Sequence, residues 1–414
     1  MRITDFKQPF AITMWDSSWL RRRYPGGGFE SFDTALDELV ERGYNAVRID
    51  AFPHMIANAP DGTNSERFLD PTGVAHQRYG FAQWGSPWTV YSYPRRDILE
   101  LLEKCEERGV YVILSTWLKP TIEPRHEWIE GPQDLVRVWD ETLHFLEDNG
   151  RLNNVIAVDV QNEFPYGGCN MWLFRQMDRV NKDTATQTGT QRKVEFYRNY
   201  FNTVVKELKS RWPGMPISAS SNSTFLGENK DMDYSEFDWQ DVHLWSMDFF
   251  LWETRENLQE FKEMHDAYKA IASFGDPANL YTYQGNFYST GMNRIPCDIN
   301  FEKYNQVIQE QWLKNRSYIE EELEKQIATV AQTCKKYGVP YGCTEGWGTV
   351  CWAEHPLLTW DLIKDAAIIA ARLGYKYGYT FNCQSNFCEP QFISLWRDVE
   401  HHREVTDIIK GVKQ

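Results

Sequence analysis

Two acidic residues close two separate apolar runs in this chain. Residues 155–163 read Val-Ile-Ala-Val-Asp-Val-Gln-Asn-Glu and end on Asn162 and Glu163, while residues 339–345 read Val-Pro-Tyr-Gly-Cys-Thr-Glu and end on Glu345. A run as apolar and β-branched as the first predicts a strand buried on both faces. In a parallel α/β barrel the chemistry sits at the C-terminal ends of the strands, where these polar endings fall. Two carboxylates meeting there can do general acid/base and nucleophilic work on one bond. Taken singly, either Glu could be a charge at a helix N-terminus or half of a surface ion pair. The matched pair favours chemistry.

The elements that would position them alternate strand and helix along the whole chain. Strands are predicted at Phe10–Trp15, Tyr44–Asp50, Val110–Thr116, residues 155–161, Met215–Ser220, Asp241–Trp245, residues 339–344 and Tyr377–Asn382. Helices are predicted at Ser31–Arg42, Asp97–Arg108, Gln133–Asn149, Lys193–Arg211, Tyr318–Tyr337 and Leu362–Leu373, with Gly43 and Gly109 as stops. Eight strands mostly separated by helices predict a (β/α)8 TIM barrel. Two long strand-to-helix insertions are expected, at 53–93 and 247–317. Without a linker or repeat, residues 1–414 read as one catalytic domain.

Further polar residues fall at the same strand ends. They are Asp16 on the first strand, Arg48 on the second, Asn222 on the fifth, His243 on the sixth, and Asn382 with Gln384 on the eighth. Parallel strands bring such residues to one mouth. Trp15, Trp117, Trp245 and Trp347 stand beside them.

The chain carries 44 basic and 59 acidic residues, for a net charge of −15. That disfavours nucleic acid and anionic membranes, which need a basic surface. A neutral substrate fits better. Aromatic residues make up 15%, with 17 Trp, beyond what a Val/Ile/Leu-rich barrel core requires. Their flat rings suit the C–H faces of sugars, although many must simply pack. The eight Cys show no CxxC or Cys/His metal spacing, and the His residues (54, 76, 126, 243, 355 among them) are scattered. No metal and no cofactor is expected. Reduced cysteines are expected, with Cys343/Cys351 and Cys383/Cys388 as possible neighbours. With no apolar leader and no membrane span, the chain as given reads as cytoplasmic, or as secreted or periplasmic if a signal was removed.

The pattern resembles the retaining β-glycoside hydrolases of clan A, which have (β/α)8 barrels, and within them the cellulase-like branch. The resemblance rests on Val158-Asp-Val-Gln-Asn-Glu163, on Thr344-Glu345-Gly-Trp and on Val47-Arg48-Ile, and in strand order it covers most of the chain. It implies that Glu163 is the general acid/base and Glu345 the nucleophile. Asn162 would hold the sugar 2-hydroxyl, Arg48 would lie under Glu345 and keep it ionised, and His243 would line the pair. An Arg beside Glu345 is expected to lower its pKa, and desolvation to raise that of Glu163. Members of this group often carry a Trp at the end of strand eight. Here Phe381 or Phe387 takes its place, or the site is shaped differently.

The leading expectation is a retaining hydrolase of a β-linked neutral oligo- or polysaccharide, a carbohydrate-metabolism enzyme. A catalytically silent carbohydrate-binding barrel is the alternative. A metal-dependent barrel hydrolase is the third, and it lacks a convincing ligand cluster.

Overall fold

The computed structural model describes residues 1–70, 84–86, 88–119, 123–164, 170, 172–173, 175–176, 187–227, 230, 232–245, 300–348, 352 and 354–412. Eight parallel strands form the centre: β1 (Phe10–Asp16), β2 (Ala46–Asp50), β5 (Tyr111–Ser115), β6 (Val155–Asp159), β7 (Ile217–Ser218), β8 (Gln240–Asp241), β9 (Tyr341–Cys343) and β10 (Phe381–Cys383). Their order is β7-β6-β5-β2-β1-β10-β9-β8, so every strand lies beside its sequence neighbours in the barrel. A parallel bridge from Ser221 to Val242 joins the two ends. There the Ser221 amide donates to Asp241 O at 2.8 Å and the His243 amide to Ser221 O at 2.7 Å. The ring is a (β/α)8 barrel.

The strands β1, β2 and β6 are buried at every residue, as apolar runs without alternation require when both faces are covered. The covering layer is α1 (Phe32–Glu41), α2 (Pro94–Glu107), α3 (Pro132–Asp148), α4 (Gln187–Arg211), α5 (Phe301–Tyr337), α6 (Asp361–Tyr377) and α7 (Val399–Ile409). Helix α1 buries Phe32, Ala35, Leu36 and Leu39, one stripe at helical spacing, and Ser31 caps it by accepting from the Thr34 amide. Gly43 then turns the chain toward β2 at φ +85°. A Cβ at this position would stand 2.3 Å from Thr406 Oγ1, so glycine is required twice over.

Helix α5 corrects the reading of 247–317 as an insertion, because the helix begins at Phe301 and not at Tyr318. Asn300 caps it by accepting from the Lys303 amide, and Phe301, Tyr304, Ile308 and Trp312 continue the buried stripe of Ile319, Leu323 and Ile327. Aromatic residues among polar ones disguised a helical period. The part of that stretch at 246–299 lies outside the described residues. The 53–93 stretch contains a hairpin of β3 (Phe68–Asp70) and β4 (Val90–Ser92). No helix among the described residues is long and apolar enough to cross a membrane.

Of the cysteines, Cys105, Cys334, Cys343, Cys383 and Cys388 are buried free thiols, so the Cys383/Cys388 neighbourhood is not a bridge. Cys169, Cys297 and Cys351 lie outside the described residues.

Candidate active site

At the mouth of the barrel, Arg48 reaches up from β2 and forks between two partners. Its Nη2 donates to Glu345 Oε2 at 2.5 Å, and its Nη1 donates to Asn162 Oδ1. With Oδ1 held, Asn162 keeps its Nδ2 buried and without a protein partner. Glu163 meets the same cluster through His243, whose Nδ1 donates to Glu163 Oε1 at 3.0 Å and stands 3.5 Å from Glu345 Oε2. Trp245 Nε1 donates to the same Glu163 oxygen at 3.3 Å. One ligating atom from each of Glu163, His243 and Glu345 lies within 4.8 Å of the others. A trio this compact could hold a cation, but the imidazole nitrogen facing both carboxylates is occupied in donating to Glu163.

The backbone that delivers these groups is unusual. Asp16, Phe52, Leu118 and Glu163 all have positive φ, between 44° and 52°. They follow or end β1, β2, β5 and β6, so four successive barrel strands leave the mouth through a left-handed residue. Each costs roughly 1–2 kcal/mol for a side chain with a Cβ. Local hydrogen bonds offset the cost. The Phe52 amide donates to Asp50 Oδ1 at 2.9 Å, the Leu118 amide to Thr116 Oγ1 at 3.0 Å, and the Glu163 amide to Ser220 Oγ at 3.0 Å. Ser220 is itself held by Asp159, whose carboxylate accepts from Ser220 N, Ser220 Oγ and Ser115 Oγ at 2.7–2.8 Å. These left-handed residues, held by a polar girdle of Asp159, Ser115 and Ser220, fix the direction of the side chains at the mouth.

The charges alternate across the mouth. Lys119 Nζ donates to Asp16 Oδ2 at 3.0 Å, Asp16 Oδ1 lies 3.9 Å from Arg48, Arg48 pairs with Glu345, and His243 stands between Glu345 and Asp241. Burial pushes the Glu345 carboxyl up, to about 7, against the downward pull of His243 and Arg48. This corrects the expectation that Arg48 would leave Glu345 with a lowered pKa. The guanidinium does pull it down, but burial and the nearby Glu163 and Asp16 charges outweigh it. Burial likewise raises Asp50, to about 6, against Lys119.

The structure therefore gathers Glu163, Glu345, Asn162, Arg48, His243, Asp16, Trp117 and Trp245 at one mouth, with Trp117 Nε1 donating to Asp16 Oδ1 at 2.5 Å. Five expected residues stand elsewhere. Trp15 is fully buried against Phe29, because its neighbour Asp16 takes the inward-facing position. Trp347 is fully buried, its Nε1 donating to Asn382 Oδ1 and Cys383 O. Asn382 turns to α6 and donates to Ala370 O at 3.3 Å. Gln384 Oε1 accepts from Tyr44 Oη at 2.6 Å, beside His402 and Trp396 in the helical layer. Asn222 Oδ1 caps the turn Ser223–Leu226 by accepting from Thr224. Phe381 and Phe387 are both fully buried among other rings.

Sequence reasoning missed Lys119, Asp159, Ser220, Asp241 and Thr344. For Asp241 the signal was present. It precedes His243 by two residues, and alternate residues of a strand share a face.

A family model described as cellulase-like and sugar-binding matches residues 12–410. A crystal structure from Parabacteroides distasonis ATCC 8503, provisionally assigned as a glycoside hydrolase, is similar at 27% identity and a TM-score of 0.72, covering 97% of this chain and 94% of that one. An endo-beta-1,4-mannanase from Thermotoga petrophila is similar at 10% identity and a TM-score of 0.49, covering 100% and 79%. The cellulose synthase subunit Z of Clostridioides difficile follows at 11% and 0.48, covering 91% and 91%. No curated protein sequence matches the chain.

Proposed function

The chain belongs to the sugar-binding, cellulase-like family, and from that membership we propose that it is a retaining glycoside hydrolase of a β-linked neutral oligo- or polysaccharide, with residues 1–414 as one catalytic domain. The observation that carries this reading is the approach of Glu163 and Glu345, which bring carboxylate oxygens within 4.8 Å of each other. Retaining enzymes hold their two carboxyls about 5–5.5 Å apart, whereas inverting ones leave roughly 6.5–9.5 Å for a water.

In the first step Glu163 gives its proton to the glycosidic oxygen. The aglycone leaves as an alcohol while a Glu345 oxygen bonds to the anomeric carbon. In the second step the Glu163 carboxylate takes a proton from water, the water oxygen attacks that carbon, and the Glu345 carboxylate is released. Asn162 Nδ2, free of protein partners, would donate to the 2-hydroxyl, where charge development strengthens the bond. Trp245 and Trp117, both half-buried beside the pair, would pack against the sugar.

A neutral sugar fits the charges. Among the described residues, each cation of the mouth (Lys119, Arg48, His243) already has a carboxylate partner, which leaves none for an anionic substrate. The test is a screen of aryl β-glycosides and of plant and microbial polysaccharides, with mass-spectrometric product analysis. Turnover that disappears in Glu163→Gln and Glu345→Gln supports the reading. Sugar binding by calorimetry with no turnover across the panel would replace it with a silent binding barrel.

A further inference from the structure

We propose that Asp241 is a positioning residue that keeps His243 cationic, so that one imidazolium serves both catalytic carboxylates throughout the double displacement. The inference rests on the retaining reading above. It adds a residue that never touches the substrate.

Asp241 is fully buried at the end of β8. Its Oδ2 lies 3.4 Å from His243 Nε2 and accepts from Thr344 Oγ1 at 2.5 Å, while its Oδ1 accepts from the Thr344 amide at 2.9 Å. Thr344 immediately precedes Glu345. One carboxylate thus fixes both the ring of His243 and the backbone that delivers the nucleophile. The far side of the ring faces the reaction, with Nδ1 at 3.0 Å from Glu163 and 3.5 Å from Glu345.

The groups around the imidazole decide its charge. Asp241 from β8, Glu345 beyond β9 and Glu163 beyond β6 set three carboxyl groups around the ring. Arg48 from β2 is the opposing cation, its Nη1, which can only donate, at 3.3 Å from Nε2, and Thr344 Oγ1 stands 3.3 Å from the same nitrogen. That guanidinium is already committed to Asn162 and Glu345. Three carboxyl groups, Asp241 foremost, against one engaged cation favour a ring protonated on both nitrogens. Burial opposes the charge, but Asp241 and Glu345 outweigh it and hold His243 well above its ordinary value. His243, Arg48 and Thr344 in turn keep Asp241 below its own, against its burial.

A fixed cation there has a consequence for the second step. When Glu345 is esterified it loses its charge, and the imidazolium is left to Glu163 alone. Glu163 is then favoured as a carboxylate at the moment it must act as a base. The ring gives up no proton in either step.

Asp241→Asn keeps the shape and the bond from the Thr344 amide but removes the charge. Its amide nitrogen would donate to a neutral Nε2, leaving a neutral ring that still donates through Nδ1. Losing the cation destabilises both catalytic carboxylates. Both limbs of the kcat/KM pH profile should therefore move to higher pH, and 15N NMR of ring-labelled histidine should show His243 doubly protonated at pH 8 in the native protein and singly protonated in the variant. In a His243→Gln background, Asp241→Asn should no longer move either limb. A simple clamp would lower kcat with the limbs unmoved, and that result, or a neutral His243 in the native protein, overturns the inference. Glu163→Gln and Glu345→Gln run alongside. If they stay active, the retaining reading fails, whereas inactive Gln variants with unmoved Asp241→Asn limbs remove Asp241 alone.

Discussion

Arg48 Nη2 stands 2.5 Å from Glu345 Oε2 with the guanidinium fully buried, while the other arm of the fork holds Asn162. One side chain from the second barrel strand therefore sets both the carboxylate proposed as nucleophile and the amide proposed to grip the sugar. A planar fork does this and an ammonium does not. Arg48→Ala should cost about a thousandfold in kcat/KM and also lower Tm, since a buried carboxylate loses its partner. Arg48→Lys keeps the charge but should recover only a small part of the activity. Full recovery by lysine would show that charge alone matters.

The acid limb of the pH profile follows from Glu345. A nucleophile must be ionised, and burial raises this carboxyl to about 7. Raising pH through that value ionises it, so kcat/KM should climb through neutrality and peak on the alkaline side. A limb near 4, the range of an ordinary carboxylate, would contradict the balance of burial over Arg48 and His243.

The same shift makes a stability prediction of definite sign. A carboxyl whose folded pKa lies above its ordinary 4.5 stabilises the fold when protonated, and this is lost as pH rises through about 7. Glu345→Gln, neutral at every pH, should therefore melt higher than the native protein at pH 8. At full ionisation the difference is on the order of 3 kcal/mol, and the gap should close toward pH 5. A variant that melts lower at pH 8 would show that the Arg48 pair, once formed, outweighs burial.

Asn162 offers a test that separates sugar contact from packing. Its Nδ2 is buried without a partner while its Oδ1 accepts from Arg48, so Asn162→Ala should cost the fold about 1–3 kcal/mol for the lost Arg48 bond. Asn162→Ala should lose about a hundredfold or more in kcat on a full substrate. On the matching 2-deoxy glycoside most of that loss should vanish. Equal losses on both substrates would place the amide in a structural role.

How much of this was legible beforehand depended on whether a residue's role is local. The eight strands and the polar ends of β6 and β9 are written in short apolar runs, and the barrel follows from their alternation with helices. The start of α5 was hidden, because Tyr304 and Trp312 resemble ligand-facing rings until their helical spacing with Ile319 and Leu323 is followed back to the Asn300 cap. Side-chain direction past a strand's end was harder still. Trp15 and Asp16 are adjacent, yet the left-handed turn at Asp16 sends one to Phe29 and the other to the mouth. Asn382 and Gln384 turned outward, toward Ala370 and Tyr44, because the helical layer needed their hydrogen bonds. The Glu345 shift was misjudged for a related reason: the Arg48 neighbour is visible in a strand pattern, whereas burial is a property of the closed barrel.

The central claim is that Glu345 forms the bond to the sugar while Glu163 moves the proton. The measurement that reaches it most directly is the stereochemistry of the glycosyl azide made by Glu345→Gly from an aryl β-glycoside in azide, read by NMR. With the nucleophile gone, azide should enter the vacated space and give the inverted α-azide in a single displacement, with no hydrolysis without azide. A β-azide, or undiminished hydrolysis of the glycoside by the variant, would contradict the account.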